Sequence, residues 1–361
     1  MNLRMQAAFW LGALAFLLLF LWVFSGILLP FIMGMALAYL LDPIADRLER
    51  AGMSRFWATI TIVILSVLVF ALLALIGVPL LVGQLAAFLD KLPDYAVELQ
   101  ALGNRFFETR IGQYFRAQGG GPDVNQIVTQ GASWAATVLA SVWAGGQALI
   151  SVISLVVVTP VVAFYLLYDW DRMIARIDAL LPREHAGTIR TIGNDINVAI
   201  GGFIRGQGAV CLLLGLFYAI SLTVVGLNFG FLIGSLAGVI SFVPYVGSIV
   251  GFFLSVAVAL VQFWPDWIWI GIVVGIFALG QFVEGNILQP RLVGSSIGVH
   301  PVWLMFALFA FGSLFGFVGV LLAVPVTAAI GVLVRFAVER YRLSALYLER
   351  DDSRPQDHRH R

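Results

Sequence analysis

Charge is scarce in this chain: only 11% of its 361 residues are Asp, Glu, Lys or Arg, and the formal net charge is +1. Soluble domains carry about 25% charged residues, and a nucleic-acid-binding protein needs a concentrated positive field. The composition therefore excludes an ordinary water-soluble domain and predicts no nucleic-acid partner. Because 61% of the residues are hydrophobic, it predicts an integral membrane protein.

Cysteine and reactive motifs are also nearly absent. Cys211 is the single cysteine, so no disulfide can form within the chain, and its place in an apolar run predicts an inert buried thiol. The sequence contains no H-E-x-x-H motif, no G-x-S-x-G motif and no Gly-rich phosphate loop. We therefore expect no enzymatic activity, no cofactor and no metal site.

Long apolar runs are what the chain has in abundance. A helix needs about 20 apolar residues to cross the hydrocarbon core, and most of the runs reach that length. The runs are 7–29, 31–41, 56–82, 148–168, 209–227, 231–263, 267–283 and 302–334. The short run 31–41 is interpreted, together with residues 26–29, as a span that ends at Asp42-Pro43. The pattern predicts an all-α, polytopic membrane protein with about eight membrane segments.

Basic residues are distributed unevenly among the connecting segments. If the N-terminus is cytoplasmic, the inner segments hold 16 of the 21 Lys and Arg residues. This asymmetry is what the positive-inside rule requires. The first run is too long for a signal peptide and is expected to stay attached as the first span. Both termini are therefore predicted to be cytoplasmic.

Two connecting regions are amphipathic. Residues 84–130 carry apolar side chains at helical spacing on both sides of Pro93, which predicts amphipathic helices on the outer face or against a neighbouring subunit. Residues 169–205 carry a similar stripe before Pro182. A merely solvated charged face is the simpler alternative for both. The predicted regions are N-terminal scaffold spans (1–83), an amphipathic extracytoplasmic or interfacial region (84–142), a span with a cytoplasmic amphipathic helix (143–205), a duplicated core (206–334) and a cytoplasmic tail with a disordered end (335–361).

Two apolar runs are too long for one straight span. Runs 231–263 and 302–334 would each form a helix of about 50 Å, against a hydrocarbon core of about 30 Å. They share Gly, Val, Val and Pro at identical offsets, in 238–244 and 319–325. Each also follows a span of ordinary length. Residues 206–334 are therefore predicted to be a duplicated unit that contains two re-entrant hairpins or two kinked spans.

The helix breakers in these runs have two interpretations. Paired broken segments point to the binding site of a transporter, because irregular backbone persists at membrane depth only where protein or a cavity satisfies it. Alternatively, the glycines at small-xxx-small spacing merely allow close helix packing. Packing accounts for the glycines but leaves the prolines and the excess length unexplained.

Polar residues inside the apolar runs are few, and Glu284 is the most informative. A charge at the bilayer centre costs roughly 2.5 to 3.5 kcal/mol, so Glu284 should face a cavity, a partner or the interface. It is either a substrate- or ion-linked group or a residue near the headgroups with Arg291 as a neutralising neighbour. His300 is likewise a proton-sensitive group or an interfacial residue. Gln207 opens another span.

Five stretches together resemble the autoinducer-2 exporter family of bacterial permeases. They are LLDPI (40–44), TPVVAFYLLYDWDRM (159–173), FVPYVGSIVG (242–251), VEGNILQPRLVGSSIGVHP (283–301) and GSLFGFVGVLLAVPVTA (312–328). The resemblance implies a bacterial inner-membrane transporter that forms a homo-oligomer, expected to be a pentamer. Some family members export autoinducer-2 and others exchange sodium or lithium for protons, so the substrate does not carry over.

The resemblance also selects candidate residues. Those for substrate binding are Pro244, Tyr245, Gly247, Asn286, Gln289, Gly316, Gly319 and Pro325, and those for coupling or gating are Glu284, Arg291 and His300. We expect the two breaks to form a polar pocket for a small polar solute such as autoinducer-2. Glu284 would couple alternating access to a proton or cation gradient. Sodium or lithium/proton antiport, an oligomeric channel and a non-transporting envelope scaffold are the alternatives.

Overall fold

The computed structural model describes residues 19–108, 146–244, 246–293 and 299–344, together with the isolated residues Met5, Gly12, Phe16, Ser133 and Tyr347. Every regular element in these ranges is helical, as predicted. After a 3-10 turn (Ser25–Ile27), the elements are α1 (Leu28–Arg50), α2 (Arg55–Glu108), α3 (Gly146–Ala179), α4 (Ala186–Val224), α5 (Gly230–Ile240), α6 (Val246–Phe263), α7 (Trp267–Val283), a π-helical segment (Glu284–Val293) and α8 (Pro301–Arg342).

Six helical stretches in the described residues are long and apolar enough to cross a membrane. They are Ser25–Arg50, Arg55–Arg105, Ala186–Val224, Val246–Phe263, Trp267–Val293 and Val302–Arg342. These stretches support a polytopic membrane protein. Ten of the 23 residues of the predicted first run, 7–29, lie outside the described residues, so the number of about eight segments stays a prediction.

The chain divides into two compact units, which are described separately. The larger unit consists of Pro30–Leu167 and Gln207–Leu292, and therefore contains helices α5 to α7 entire. The smaller unit consists of Met1–Leu29, Tyr168–Gly206 and Val293–Arg361. It includes the first half of α4 and all of α8. The region boundaries derived from the sequence stay predictions.

In the larger unit, α1 does not end at Asp42-Pro43, where the sequence predicts the end of a span, and the position of the membrane boundary stays a prediction. The helix continues to Arg50 with Pro43 inside it. The continuing turns are stabilised by packing, because Ala45 is fully buried in a cluster with Ile62 and Leu167. They are also stabilised by Arg55, which forms ion pairs with Asp42 (2.7 Å), Asp46 (2.7 Å) and Glu49 (3.3 Å).

Helix α2 also passes through its prolines. It has 54 residues and is about 80 Å long, so part of it must project beyond a hydrocarbon core of about 30 Å. The predicted division at Pro93 is wrong, since the helix continues to Glu108. Contacts on both sides of Pro93 accompany this continuation, since Phe88 and Tyr95 each pack edge-on against Phe229. The predicted region beyond residue 108 lies outside the described residues, except for Ser133.

The first over-long run forms a helical hairpin. Helices α5 and α6 pack against each other, and the chain is broken between them from Ser241 onward. At the end of α6, Gln262 Nε2 donates to the Gly226 carbonyl (2.8 Å), and its Oε1 accepts from the Asn228 amide (2.7 Å). Since these partners precede α5, the run folds back on itself. Whether the hairpin re-enters one face of a membrane stays a prediction.

The second over-long run, in the smaller unit, breaks differently. Gly316 has φ 60° and ψ −141°, a non-helical conformation inside α8. A Cβ added to Gly312 would lie 3.1 Å from a Val320 methyl carbon, and one added to Gly319 would overlap the Phe311 carbonyl. Residues eight apart are about 12 Å distant in a straight helix, so the chain turns back sharply at Gly316. Pro325 lies inside the following helical half and not at the break.

Candidate functional site

Glycines bring the hairpin of the larger unit into close contact with α4. A Cβ added to Gly230 would lie 2.8 Å from the Leu222 carbonyl carbon. On Gly234 and Gly238 it would overlap the backbone of Ala219 and Gly215. The three glycines follow the small-xxx-small spacing that allows helix backbones to approach. The packing interpretation therefore holds for these glycines, and the packing brings the break next to α4.

A polar stripe on α4 faces this region. Gln207, Cys211 and Tyr218 are separated by four and seven residues, so they lie on one face of the helix. Gln207 is fully buried, and its Nε2 donates to the Ser241 carbonyl at the break (2.6 Å). A freed backbone carbonyl in an apolar environment requires such a donor. Gln207 therefore supplies the hydrogen bond that the carbonyl at the end of α5 requires.

Close approach within the hairpin also depends on Gly247. A Cβ at this position would overlap the Ser241 amide nitrogen and hydroxyl and the Ala237 carbonyl. The Ser241 hydroxyl donates to that same carbonyl at 2.8 Å. Gly247 thus lets the first turn of α6 lie directly on the last turn of α5.

Glu284 lies where α7 passes into the π-helical segment, and it is 2% exposed. It is the one charged side chain among the buried residues of the described ranges. The Gln289 side chain lies near the Glu284 carboxylate, while Glu284 Oε2 has no hydrogen-bond partner in the described part of the chain. Cys211 and Tyr218 of α4 lie within electrostatic range of the carboxylate. The π-helical segment thus begins at a buried carboxylic acid. π-Helical turns are frequent at functional sites.

Tyr218 completes the polar face. It is fully buried, its ring stacks on Phe277 at a centroid distance of 4.5 Å, and its hydroxyl occupies the space where a Cβ on Gly280 would be. Gly280 is one helical turn before Glu284. Within the described residues, the Tyr218 hydroxyl and Gln207 Oε1 also have no hydrogen-bond partner. We call Gln207, Cys211, Tyr218, Glu284 and Gln289 the buried polar cluster.

The Tyr218 hydroxyl and Glu284 Oε2 are two unpartnered buried oxygens near each other, which indicates a place for water or an ion. Gln207 Oε1 is a third unpartnered oxygen on the same face of α4, with its residue about 16 Å along the helix from Tyr218. Leaving a buried polar group unpaired costs about 1 to 3 kcal/mol, and such groups are uncommon in native proteins. No set of three or more His, Cys, Asp or Glu residues that could bind a metal occurs in the ranges that the structure describes. A carboxylate can exchange a proton, and carboxylate and amide oxygens can coordinate a cation.

The predicted site residues of the larger unit are only partly brought together. Glu284 and Gln289 belong to the cluster, Gly247 and the half-buried Pro244 lie at the break, and Tyr245 is outside the described residues. Asn286 is exposed, and its amide donates to the Phe282 carbonyl one turn back (2.9 Å). Arg291 is exposed as well. No ion pair joins it to Glu284 in the described part of the chain, and both interpretations of Glu284 stay predictions.

The remaining predicted residues, Gly316, Gly319, Pro325 and His300, belong to the smaller unit. His300 is exposed, and its Nδ1 accepts from the Val302 amide (3.3 Å), so it caps α8. Sequence reasoning omitted Gln207 and Tyr218 from the site. Their spacing from Cys211 on one helical face was the available signal, but it does not reveal that α7 and the break pack against that face.

The all-helical fold, the six apolar stretches and the buried acid define a polytopic membrane protein with an internal polar site. A family model described as AI-2E family transporter matches residues 11–339. The chain therefore belongs to the AI-2E transporter family, whose members are named as permeases or transport proteins and not as enzymes.

Curated relatives match over most of their length. "Putative transport protein YrrI" of Bacillus subtilis is 30% identical over 327 residues, which cover 86% of this chain and 87% of the relative. "Putative permease PerM" of Escherichia coli K12 is 28% identical over 328 residues, with the same two coverages. "Putative transport protein YueF" of Bacillus subtilis is 25% identical over 354 residues, covering 91% of this chain and 92% of the relative.

Proposed function

We propose that this protein is a secondary transporter of a small polar solute and that Glu284 couples transport to a proton or cation gradient. The supporting observation is the burial of Glu284, with 2% exposure and one carboxylate oxygen that has no partner in the described residues. An ionised carboxylate buried without a counter-charge costs several kcal/mol. Glu284 must therefore hold either a proton or a cation, and exchange of that ion is the coupling step.

Gln207 links the ion site to the hairpin. Its amide nitrogen binds the Ser241 carbonyl at the break, while its unpartnered Oε1 lies on the face of α4 that also carries Cys211 and Tyr218. Gain or loss of a proton or cation at Glu284 alters the electrostatics of the buried polar cluster. It therefore alters the strength of the hydrogen bond from Gln207 to the Ser241 carbonyl. Movement of the α5–α6 hairpin is the expected conformational response, and it supplies the alternating access.

The solute site is proposed at the break and the adjoining π-helical segment, where peptide and amide groups are available. Its residues are Pro244, Tyr245, Gly247, Asn286 and Gln289. A small diol such as autoinducer-2 matches hydrogen-bonding groups of this kind, and the family description supports that substrate class. The same proposal includes gating by Arg291 and His300 and roles for Gly316, Gly319 and Pro325. It also includes assembly as a homo-oligomer and an inner-membrane location with cytoplasmic termini.

The experiment is proton-coupled flux in proteoliposomes with a pH-sensitive dye inside. Glu284→Gln keeps the size of the side chain and removes the ionisable group, so we expect solute-driven proton movement to disappear. Glu98→Gln, which changes an exposed carboxylate on α2, is the matched control and should behave as wild type. Undiminished proton movement with Glu284→Gln would refute the coupling assignment.

Sodium or lithium/proton antiport is a second candidate, favoured by the oxygen-rich character of the cluster. A carboxylate, an amide oxygen and a phenol are the kinds of ligand that hard cations prefer. In liposomes without added solute, an antiporter alkalinises or acidifies the lumen when a sodium or lithium gradient is imposed. A solute transporter coupled to protons leaves the luminal pH unchanged under the same gradient.

A further inference from the structure

We propose that the smaller unit binds the headgroup of a zwitterionic phospholipid that carries a primary ammonium group. The feature is a groove of about 740 Å³ between the first half of α4 and the last turns of α8. This volume lies within the range of about 300 to 1,000 Å³ that is typical of small-molecule sites. The site is separate from the buried polar cluster and does not depend on the transport proposal.

The groove has an apolar floor. Ala199 of α4 and Val332 of α8 are both buried, and they pack together with Ala328 and the partly buried Ile192. Phe336, half-buried, extends this surface toward the mouth of the groove. An acyl chain or glycerol backbone would therefore meet aliphatic and aromatic side chains on entering the groove.

The mouth of the groove carries charges of both signs. Arg335 and Arg340 supply two guanidinium groups, and Asp195 and Glu339 supply two carboxylates. All four side chains are exposed. In the described part of the chain, no ion pair engages Asp195, Glu339 or Arg340. The Arg340 guanidinium lies over the Phe336 ring at 5.5 Å, which holds one cation against the wall of the groove.

This charge pattern matches a zwitterion. Guanidinium groups bind phosphate oxygens through paired N–H donors, and carboxylates accept hydrogen bonds from an ammonium group. A phosphoethanolamine headgroup presents both partners a few bonds apart. Choline has no N–H to donate, and a purely anionic glycerol headgroup would be repelled by Asp195 and Glu339. The groove should therefore distinguish these three headgroups.

The position of the groove along α8 favours a membrane lipid over a free solute. The apolar run of α8 ends at Val334, directly before the charged residues of the mouth. Basic residues that follow an apolar span mark the headgroup level of the cytoplasmic leaflet. The apolar floor then lies at acyl depth and the charged mouth at the depth of the phosphate and ammonium groups.

The test measures binding of short-chain lipids to the detergent-purified full chain by native mass spectrometry. The probes are dihexanoyl phosphatidylethanolamine, phosphatidylcholine and phosphatidylglycerol, with free phosphoethanolamine as the soluble probe. Since each exposed ion pair contributes little, we expect wild type to bind the ethanolamine lipid about fivefold more tightly than the choline lipid. Asp195→Asn combined with Glu339→Gln should abolish this preference and strengthen binding of the glycerol lipid.

Two further variants make the outcome decisive. Arg340→Gln should weaken binding of both the ethanolamine and the glycerol lipid, because it removes a phosphate partner. Glu184→Gln, which neutralises an exposed carboxylate of the same unit outside the groove, should change nothing. Equal affinities of wild type for the three lipids would overturn the proposal. Free phosphoethanolamine binding as tightly as the lipid would overturn the lipid assignment.

Discussion

The two over-long apolar runs have the same length and share a Gly-to-Pro motif, yet they break in different ways. In run 231–263 the break begins three residues after Gly238, and Gln207 of another helix holds its first carbonyl. In run 302–334 the break is Gly316 itself, three residues before Gly319. The shared motif therefore does not mark the same point in the two runs. A similar fold-back is produced by side-chain support in one run and by the backbone freedom of one glycine in the other.

The first break lies beside a polar site, whereas the second break depends on backbone conformation alone. Gln207 places an amide beside the first break, on the face of α4 whose Cys211 and Tyr218 lie near Glu284. At the second break, a positive φ needs only the absence of a Cβ. If this distinction is right, substitutions at the first break alter transport as well as stability, whereas those at Gly316 act mainly through backbone strain.

The largest effect is expected where the hairpin contacts α4. Gly238→Val would force side-chain atoms into the backbone of Gly215, and overpacking of this kind should lower the free energy of unfolding by about 3 kcal/mol. Chemical denaturation in detergent would measure it. Gly275→Val on α7 is the control, because no described atom lies within 4 Å of a Cβ added there. Equal destabilisation by both variants would show that the close contact is unimportant.

The next effect concerns the support of the first break. Gln207→Leu leaves the buried Ser241 carbonyl without its donor and should cost about 2 kcal/mol, with loss of coupled flux. Gln262→Leu removes hydrogen bonds of the same kind at the exposed base of the hairpin. Water can replace these, so about 1 kcal/mol is expected. The supporting role of Gln207 would be refuted if the two variants had equal unfolding free energies and equal flux.

The second break is tested by Gly316→Ala. The conformation of Gly316, φ 60° and ψ −141°, is one that L residues rarely adopt, and it costs them about 1 to 3 kcal/mol. Unfolding should therefore become easier by about that amount, while coupled flux persists at permissive temperature. Gly271→Ala in α7, where the added Cβ has open space, should instead stabilise the helix by up to about 1 kcal/mol. A stabilising Gly316→Ala would show that the break does not depend on the glycine.

The smallest effect is expected at the ion pair of Arg190 and Asp178, which lies in neither break and serves as a baseline. Arg190 hydrogen-bonds to Asp178 at 2.6 Å, and this bond holds the pKa of Asp178 below its ordinary value. The stabilisation is present above the unfolded pKa of about 4 and is lost as pH falls through the lower folded value. Asp178→Asn should therefore lower the melting temperature slightly at pH 7 to 8, approach the wild-type value in acid, and so flatten the acid limb of the melting-temperature profile. A variant with an unaltered acid limb would exclude the ion pair.

The all-helical membrane character could be predicted from the sequence, because a helix needs about 20 apolar residues to cross the hydrocarbon core and most of the apolar runs are that long. Glu284 could be selected because a charge within an apolar run is costly. Helices α1 and α2 continue through Pro43 and Pro93, because tertiary contacts, the ion pairs of Arg55 and the packing of Phe229, outweigh the loss of one backbone hydrogen bond. Local propensity cannot anticipate the packing of Phe88 and Tyr95 against Phe229, which lies more than a hundred positions away.

The rest of the site was missed for a related reason. Gln207 and Tyr218 gain their significance from the helices that pack on α4, and a single sequence does not contain that neighbourhood. Gly316 could not be distinguished from the other glycines of its run, since only the folded backbone shows which glycine has a positive φ. Pro325 was expected at the break because proline is a helix breaker, yet it lies inside the second half of α8.

The most direct test of the central claim is infrared difference spectroscopy of the purified protein as pH is changed with and without sodium or lithium. The account predicts a carboxyl band that responds to pH or to the cation, disappears in Glu284→Gln and persists in Glu98→Gln. Identical difference spectra for wild type and Glu284→Gln would show that Glu284 exchanges neither a proton nor a cation, and would contradict the account.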